Sequence, residues 1–383
     1  MRYGFLPAAA AGLFLLFGAP TVVSVAQDNP SAEQPKAPAN AKEVMAEIQK
    51  AGQALGEKPT DEQVDAFFGK AWSLVAAYLK ANPEAADAAT LYQWSMRRAG
   101  YGKNNADFLD IAQRYLKANP EAKDAAQVRL YYLAGSLSCE AFKAEATAEM
   151  AKLDEAAKAD AAKFLQAVEI RLMDAGFRKD DAAKAKQIEA VKASELVKKS
   201  EDVWVARDAQ RIVLSSTTVE VKDGEAFPDW ADAWAVKDLD GKAISVAEYK
   251  GKVVLLDFWA TLCGPCVREM PSVVKAYAAF QEKGFEVIGL SFDNREGEQS
   301  LRDTIAGKGK VGQMTGVMPW RQVYDGGYWN SGLAKRYGIR GIPHTVLIGR
   351  DGKVVAQDLR GEELLSKIKE LVEAGAEAEG GSK

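Results

Sequence analysis

The chain has 383 residues, of which 48% are hydrophobic and 27% are charged, and its formal net charge is −4. This length allows two or three domains, and the composition is that of a globular protein. The small negative charge implies no bulk attraction to nucleic acid. A structural zinc site needs about four ligands, so it would require all three cysteines and the single histidine. Because these residues come from distant parts of the chain, no metal is expected.

The N-terminus predicts export. Residues 1–26 read as a signal peptide, with a positive charge at Arg2, an apolar stretch over residues 5–23 and a small-x-small cleavage site at residues 24–26. The alternative is an uncleaved membrane anchor, for which the prolines and glycines of this segment are poorly suited. Residues 27–40, rich in Pro, Ala, Ser and Gln, predict a disordered linker. We therefore expect a periplasmic or otherwise extracytoplasmic protein, soluble after cleavage.

Residues 41–216 are rich in Ala, Lys and Glu and predict an all-α domain. Residues 78–85 recur as residues 115–122, and residues 87–89 recur as residues 124–126, which gives a period of 37 residues. In this pattern Asn82 and Asn119 are expected to cap the next helix, with Pro at its first position. The unit resembles a tetratricopeptide-like solenoid. Longer helices are predicted at about residues 144–175 and 180–213.

The helical domain has two interpretations that the sequence leaves open. It is either a surface that docks a protein partner or a copy of this chain, or a spacer that holds the next domain away from a surface. Cys139, the odd cysteine, lies in a predicted helix and is interpreted as a buried, unreactive thiol.

From residue 217 to residue 376 strands alternate with helices, which predicts an α/β domain whose sheet is covered on both faces; residues 377–383 are predicted to be a disordered tail. Asp351-Gly352 marks a hairpin turn. The predicted strands are residues 230–236, 253–258, 285–292, 345–348 and 354–356, and the predicted helices are residues 266–283, 298–306, 331–337 and 362–374.

The run Cys263-Gly264-Pro265-Cys266 carries the chemistry. It follows an apolar strand and opens a helix, so Cys263 lies where unpaired backbone N–H groups favour an anion. A thiolate at this position attacks disulfides, and Cys266, one turn further on, can resolve the mixed disulfide. A haem attachment site would need a histidine after Cys266, where Val267 stands. The spacing predicts reversible dithiol–disulfide exchange with no cofactor besides a redox-active Cys263–Cys266 disulfide.

Residues 254–266 resemble the active-site strand and turn of the thioredoxin family, and residues 337–343 resemble its cis-proline loop. Residues 225–375 as a whole resemble the TlpA/ResA-like thiol–disulfide oxidoreductases, exported relatives of thioredoxin. The resemblance implies a thioredoxin-like fold, with a central mixed sheet and helices on both faces. By position it implies Cys263 as the attacking thiolate, Cys266 as the resolving thiol and Asp257 as a buried carboxylate that accepts the Cys266 proton.

The resemblance also implies a substrate-binding surface around the cysteines. Pro343 would be cis and would pair, through its backbone, with an extended substrate segment, and Trp259 would pack beside the site. The predicted surface comprises Trp259, Gly264, Pro265, Ile342, Pro343 and His344. The chain departs from the family at Leu262, where Trp is usual, and at His344. For His344 a role in proton transfer and an ordinary position at the strand edge both remain open.

The function expected from these observations is that of an enzyme, a protein-disulfide reductase. Gly264-Pro265 and Ile342 resemble the reducing members of the family. The expected partners are disulfide-containing exported proteins, including apocytochrome c during maturation, and an upstream membrane electron donor. Two alternatives are a partner-binding helical-repeat protein with a redox-switch module and a thiol peroxidase. No Pro precedes Thr261, and the resolving cysteine is adjacent, which disfavours the peroxidase.

Overall fold

The computed structural model describes residues 38–380, except residues 57–58, 83–84, 86, 99–100, 104, 123 and 232–233. The predicted signal peptide and residues 27–37 of the predicted linker lie outside the described residues. The described chain divides into two compact units. The first contains the residues up to Ala156 together with Gln166–Lys184, and the second contains Ala157–Leu165 together with the residues from Ala185 onward. Within the described ranges, no helix has the length and apolar content needed to cross a bilayer.

The N-terminal part of the chain is helical, as the composition predicts. A buried core of aromatic and aliphatic side chains joins the first helices, with Trp72, Leu91 and Phe108 among its most buried members. The first long predicted helix is divided into two helices and the second into three. The helices are α1 (Ala41–Gln53), α2 (Asp61–Ala81), α3 (Ala88–Met96), α4 (Ala106–Ala118), α5 (Ala125–Ser136), α6 (Lys143–Ala157), α7 (Ala161–Phe177), α8 (Asp181–Ala193), α9 (Glu195–Lys198) and α10 (Val203–Leu214).

The 37-residue repeat corresponds to a repeated hydrogen bond. The Tyr78 hydroxyl donates to Asp87 at 2.6 Å, and the Tyr115 hydroxyl donates to Asp124 at 2.5 Å. The predicted capping role of the asparagines is wrong. Asn119 ends α4, where its amide donates to the Tyr115 carbonyl oxygen, and Asn82 ends α2 in the same way. The next helix starts several residues later, beyond the reach of the Asn side chain. The tetratricopeptide-like assignment stays a prediction.

The second unit is built around a five-stranded mixed sheet of order β3-β2-β1-β4-β5. Strands β1, β2 and β3 are parallel, β4 is antiparallel to β1, and β5 is antiparallel to β4. The elements are β1 (Val253–Trp259), α11 (Gly264–Phe280), β2 (Phe285–Ser291), α12 (Glu298–Ile305), α13 (Gly309–Thr315), β3 (Arg321–Tyr324), α14 (Gly332–Arg336), β4 (His344–Ile348), β5 (Val354–Gln357) and α15 (Gly361–Gly380).

Both faces of the sheet are covered, as predicted. Every residue of β1 is buried, because alternate side chains enter different cores. Leu255 and Trp259 pack with α11 and α15, whereas Leu256 and Phe258 pack with residues of α10, α14 and the segment before β1. This double burial makes β1 the rigid element that carries the cysteine motif.

The structure differs from the sequence prediction in four elements, of which one is helix α13, absent from the prediction. Residues 230–236 form no strand in their described part; Trp230 is instead a core side chain whose indole N–H donates to the Ile244 carbonyl oxygen. Strand β3 was not predicted, because Arg321 and Gln322 interrupt its apolar pattern. Helix α15 continues to Gly380, so the prediction of a disordered tail at residues 377–383 is wrong for residues 377–380. The Ala- and Glu-rich sequence there has high helix propensity.

Helix α10 belongs to the second unit, although the sequence placed it in the helical domain. Its Leu214 packs in the core on one face of the sheet, and its Arg207, 5% exposed, pairs with Glu298 of α12 at 2.6 Å. The Gln210 side chain also accepts a hydrogen bond from the Lys237 N–H. Composition alone does not separate a helix that packs on a sheet from one that packs on other helices.

Candidate active site

The sheet topology brings five segments to one edge. The C-terminal ends of β1, β2, β3 and β5 and the N-terminal end of β4 all lie there, because β4 runs opposite to its neighbours. The cysteine motif follows β1, and the predicted cis-proline loop precedes β4. Phe258 pairs with His344 in the β1–β4 ladder. The two sequence motifs, about 80 residues apart in the chain, therefore meet at this edge.

Cys263 and Cys266 form a disulfide bond, with an S–S distance of 2.06 Å. Cys263 is half-buried, whereas Cys266 is only 2% exposed. Helix α11 begins directly after Cys263, and the Cys266 N–H donates to Cys263 Sγ at 3.2 Å. After reduction the same helix end favours a thiolate at Cys263. The accessible position of Cys263 fits an attacking sulfur, and the covered position of Cys266 fits a resolving one.

The surface next to the disulfide is formed by Leu262, which is 89% exposed, and by the exposed Gly264 and Pro265. A cation that the sequence analysis did not identify lies over the first turn of α11. A Cβ placed on Gly264 would be 3.4 Å from a guanidinium nitrogen of Arg268. The sequence signal for this contact is the spacing of four residues between Gly264 and Arg268, which places them on the same side of α11. Arg268 therefore places a positive charge on the first turn of α11, the helix that begins after Cys263.

Asp257 is a buried carboxyl group, 5% exposed, in the middle of the site. It lies on the same face of β1 as Leu255 and Trp259, which pack in the same core as Cys266. Its side chain therefore faces the side of the sheet on which Cys266 lies. Burial raises the pKa of Asp257 to about 7; Arg360 opposes this shift and Glu269 adds to it. A carboxyl group with this pKa can take up and release a proton at neutral pH.

Trp259 is fully buried, and its indole N–H donates to the Gln322 side chain at 3.0 Å. It packs in the core that contains Cys266, as predicted. With no exposed area, it lies beneath the site and supports Cys266, rather than forming part of the surface that a substrate meets.

The Ile342–Pro343 peptide bond is cis, as the motif predicts. The loop is held by Arg360, which the sequence analysis missed. One guanidinium nitrogen of Arg360 donates to the Pro343 carbonyl oxygen, and the other donates to Thr345 Oγ1 at 3.0 Å. No local pattern points to this role of Arg360, because Pro343 and Thr345 lie 17 and 15 residues before it in the chain. Arg360 thus connects the cis-proline loop to the environment of Asp257, since it also lowers the pKa of Asp257.

His344 is half-buried beside the cis-proline. Its Nδ1 lies 2.8 Å from Asp358 Oδ1, and its ring packs against Phe258 with 5.5 Å between centroids. Burial lowers the pKa of His344; Asp358 opposes this shift, and Arg360 lowers the pKa further. The imidazole is therefore neutral at pH 7 and already engaged with Asp358, which favours a structural role at the strand edge.

We expect the His344→Gln variant to keep the pH profile of disulfide reduction and to change kcat/KM by less than about threefold, which is about 0.6 kcal/mol. Glutamine keeps a polar group near Asp358 but cannot gain a charge. The measurement is kcat/KM from pH 5 to pH 9 for both proteins. If one limb of the profile disappeared in the variant, His344 would be a proton-transfer group.

A second buried carboxylate, Asp293, holds the turn before the cysteines. It follows β2, and it accepts hydrogen bonds from the Thr261 hydroxyl at 2.5 Å, from the Thr261 N–H at 3.1 Å and from the Ser291 hydroxyl at 2.9 Å. Asp293 cannot be identified from the local sequence around Thr261, because 32 residues separate the two. These bonds fix the backbone two residues before Cys263.

Comparisons with known proteins all concern the second unit. A family model described as "AhpC/TSA family" matches residues 224–357. The thiol-disulfide oxidoreductase ResA of Bacillus thuringiensis is 36% identical over 142 residues, 37% of this chain and 74% of the relative. ResA of Halalkalibacterium halodurans is 32% identical over 145 residues, 37% of this chain and 75% of the relative. The solved thioredoxin domain of a thiol-disulfide oxidoreductase from Bacteroides vulgatus is 31% identical, covering 40% of this chain and 99% of that one, with a TM-score of 0.32.

Proposed function

Because this chain belongs, through its second unit, to the ResA family of thiol–disulfide oxidoreductases, we propose that it reduces disulfide bonds of exported proteins through Cys263 and Cys266. The observation that carries the proposal is the placement of these cysteines. A half-buried Cys263 at the start of α11 is disulfide-bonded to a covered Cys266, and the cis-Pro343 loop lies at the same edge of the sheet.

The reaction starts from the dithiol form. The Cys263 thiolate attacks one sulfur of a substrate disulfide, a mixed disulfide forms, and one substrate sulfur leaves as a thiolate. Cys266 then loses its proton to Asp257 and attacks Cys263 Sγ. This second step releases the other substrate sulfur and leaves the Cys263–Cys266 disulfide. Two electrons pass from the enzyme to the substrate, and the two protons that the dithiol loses balance those that the released substrate thiolates gain.

The proposed direction is reduction. The Gly264-Pro265 pair and Ile342 are of the reducing type, so we expect a reduction potential nearer to that of thioredoxin, about −270 mV, than to that of the oxidant DsbA, about −120 mV. The measurement is the equilibrium of the Cys263–Cys266 pair in glutathione buffers, followed by thiol alkylation. A Cys139→Ser background keeps the third cysteine out of the thiol count. A potential near −120 mV would contradict the proposal.

The proposed location is outside the cytoplasm, on the basis of the signal-like residues 1–26. Thiols there tend to become oxidised, so a reductase needs an upstream membrane donor that restores its dithiol. The proposed substrates are disulfide-containing exported proteins, with apocytochrome c in maturation as one candidate. A membrane anchor at residues 1–26 would keep the same site on the same side of the membrane.

The alternative function is a partner-binding protein whose C-terminal unit is a redox switch. A disulfide reductase and a redox switch differ in turnover. With an excess of a peptide disulfide and a dithiol reductant, we expect the enzyme to process many substrate molecules per protein molecule. A switch would exchange once with its partner and show no sustained turnover. Peroxide consumption that depends on Cys263 would instead indicate a thiol peroxidase.

A further inference from the structure

Two aromatic side chains are exposed at the same edge of the sheet as the disulfide. Tyr328 is 50% exposed and Trp329 is 42% exposed, and both lie in the loop between β3 and α14. This loop is ordered by its own hydrogen bonds, since the Asp325 carboxylate accepts from the Gly327 N–H at 2.9 Å and from the Gly332 N–H at 2.7 Å. Tyr328 has a positive φ of 52°, a conformation uncommon for residues other than glycine. These hydrogen bonds hold the backbone of the loop, on which both aromatic side chains are exposed.

Trp329 is connected to Cys263 by packed side chains of one buried core. Its ring packs against Phe292 with 5.3 Å between centroids, and Phe292 packs against Phe258 at 6.3 Å. The Phe292 N–H donates to the Trp259 carbonyl oxygen, which places Phe292 beside the end of β1. Cys263 packs against the same core that contains Phe258 and Phe292. Phe258 and Phe292 are themselves buried, but these contacts anchor the exposed Trp329 and the half-buried Cys263 to one core, at the ends of β1 and β2.

Exposed apolar side chains concentrate at this edge. Of the six large apolar residues that are exposed within the described chain, Leu262, Tyr328 and Trp329 lie here. Val317 is also exposed, but it precedes β3 and so lies towards the opposite edge of the sheet. Exposed apolar groups beside a reactive centre mark binding surfaces, and tryptophan and tyrosine contribute most at such surfaces.

We propose that Trp329, with Tyr328 beside it, binds an apolar side chain of an extended polypeptide segment whose disulfide Cys263 attacks, while Leu262 contacts the segment next to the sulfur. One strand, β2, lies between β1 and β3, so the axes of β1 and β3 are about 10 Å apart, a span that an extended chain covers in about three residues. The apolar side chain is accordingly proposed at about three residues from the reactive cysteine. The preferred substrates are unfolded segments with an aromatic or aliphatic residue at that distance. This inference rests on the proposed function and names its substrate class.

The test compares two disulfide-linked peptides and one small disulfide. The peptides are identical except for phenylalanine or aspartate at the third residue on either side of the cysteine, and the small disulfide is oxidised glutathione. We expect the wild-type enzyme to have a lower KM for the phenylalanine peptide. We expect Trp329→Ala to raise the KM for the phenylalanine peptide about tenfold with kcat unchanged. The variant should no longer prefer the phenylalanine peptide over the aspartate peptide, and its reduction of glutathione disulfide should be unchanged. Trp329→Phe should keep most of the preference.

The control variant is Val317→Ala, which removes an exposed apolar side chain at the opposite edge and should change none of these values. The inference would be overturned if Trp329→Ala left KM for the phenylalanine peptide unchanged or raised KM equally for both peptides. It would also be overturned if the Trp329 surface were covered by a second copy of the chain, which would appear as a dimer that Trp329→Ala dissociates.

A binding measurement separates this inference from the proposed function. The same peptides with serine in place of cysteine bind without any exchange chemistry, and calorimetry with the oxidised protein gives their Kd. Tighter binding of the phenylalanine peptide, weakened about tenfold by Trp329→Ala, supports the binding surface even if no disulfide were reduced. Equal binding of both peptides by a protein that does reduce disulfides would leave the proposed function intact and overturn the inference.

Discussion

The Asp257→Asn variant is expected to be more stable than the wild-type protein at pH 8 and slower as a reductase. Burial raises the pKa of Asp257 from 3.8 to about 7 in the folded state. Between these values the folded protein holds a proton that the unfolded chain releases. The stability of the wild-type protein therefore falls as pH rises from about 4 to 7 and stays low above that window. The loss is on the order of 4 kcal/mol, because one pKa unit corresponds to about 1.4 kcal/mol.

Asparagine has no charge to bury, so the variant should escape this loss. The measurement is urea unfolding of the oxidised second unit within the full chain, at pH 4 and at pH 8. We expect similar free energies of unfolding for the two proteins at pH 4 and a clear advantage for Asp257→Asn at pH 8. Asp240→Asn, which removes an exposed carboxylate, is the matched control and should show little change at either pH. A pH-independent difference for Asp257→Asn would mean that Asp257 titrates near its ordinary pKa.

The same variant should lose the base that accepts the Cys266 proton. We expect turnover of a peptide disulfide at pH 7 to fall at least about tenfold, since a positioned general base contributes this much or more. The rate that falls should be that of mixed-disulfide decay, the step that releases substrate. The increase of this rate with pH around pH 7, which the wild-type protein should show, should be absent from the variant. Single-turnover experiments that resolve formation and decay of the mixed disulfide provide the measurement. An unchanged decay rate would remove Asp257 from the reaction.

The second large effect concerns the cysteines themselves. We expect Cys263→Ser to reduce disulfides no faster than protein-free solution, because no nucleophile remains at the start of α11. We expect Cys266→Ser to attack a substrate but not to release it, so a mixed disulfide through Cys263 should accumulate. The difference follows from position, since Cys263 is half-buried and Cys266 is covered.

Both variants are made in a Cys139→Ser background, since Cys139 is the free and partly accessible thiol. The adduct is detected by non-reducing electrophoresis and mass spectrometry of the linked peptides, and trapping from an exported protein fraction identifies the substrate. If Cys263→Ser trapped substrate through Cys266 as efficiently, the assignment of attacking and resolving sulfurs would be reversed.

Much of the site follows from local sequence patterns. An apolar strand that leads directly into Cys263-Gly264-Pro265-Cys266 predicts a cysteine at a helix start, and the structure places Cys263 immediately before α11. Ile342-Pro343 predicts the cis bond, and Asp351-Gly352 predicts the β4–β5 hairpin. These features were accessible because each depends on residues within one turn or one strand.

Other features depend on residues that are far apart in the chain. Asp293 fixes Thr261 across 32 residues, and Arg360 holds the Pro343 carbonyl oxygen across 17 residues. The placement of α10 on the sheet depends on an ion pair across 91 residues, between Arg207 and Glu298. Strand β3 was missed because Arg321 and Gln322 are polar, although pairing with β2 makes the segment a strand.

The sequence by itself determined which groups the proposed chemistry uses: two cysteines three positions apart at a helix start, a cis-proline and a carboxylate on the strand before them. The tertiary structure decided how that chemistry is tuned and what reaches it. Burial on both faces of β1 raises the pKa of Asp257, and Arg360 connects Asp257 to the cis-proline loop. The loop after the C-terminal end of β3 brings Trp329 to the same edge of the sheet as the site. Desolvation and long-range charge depend on the packing of distant segments, which a local pattern does not contain.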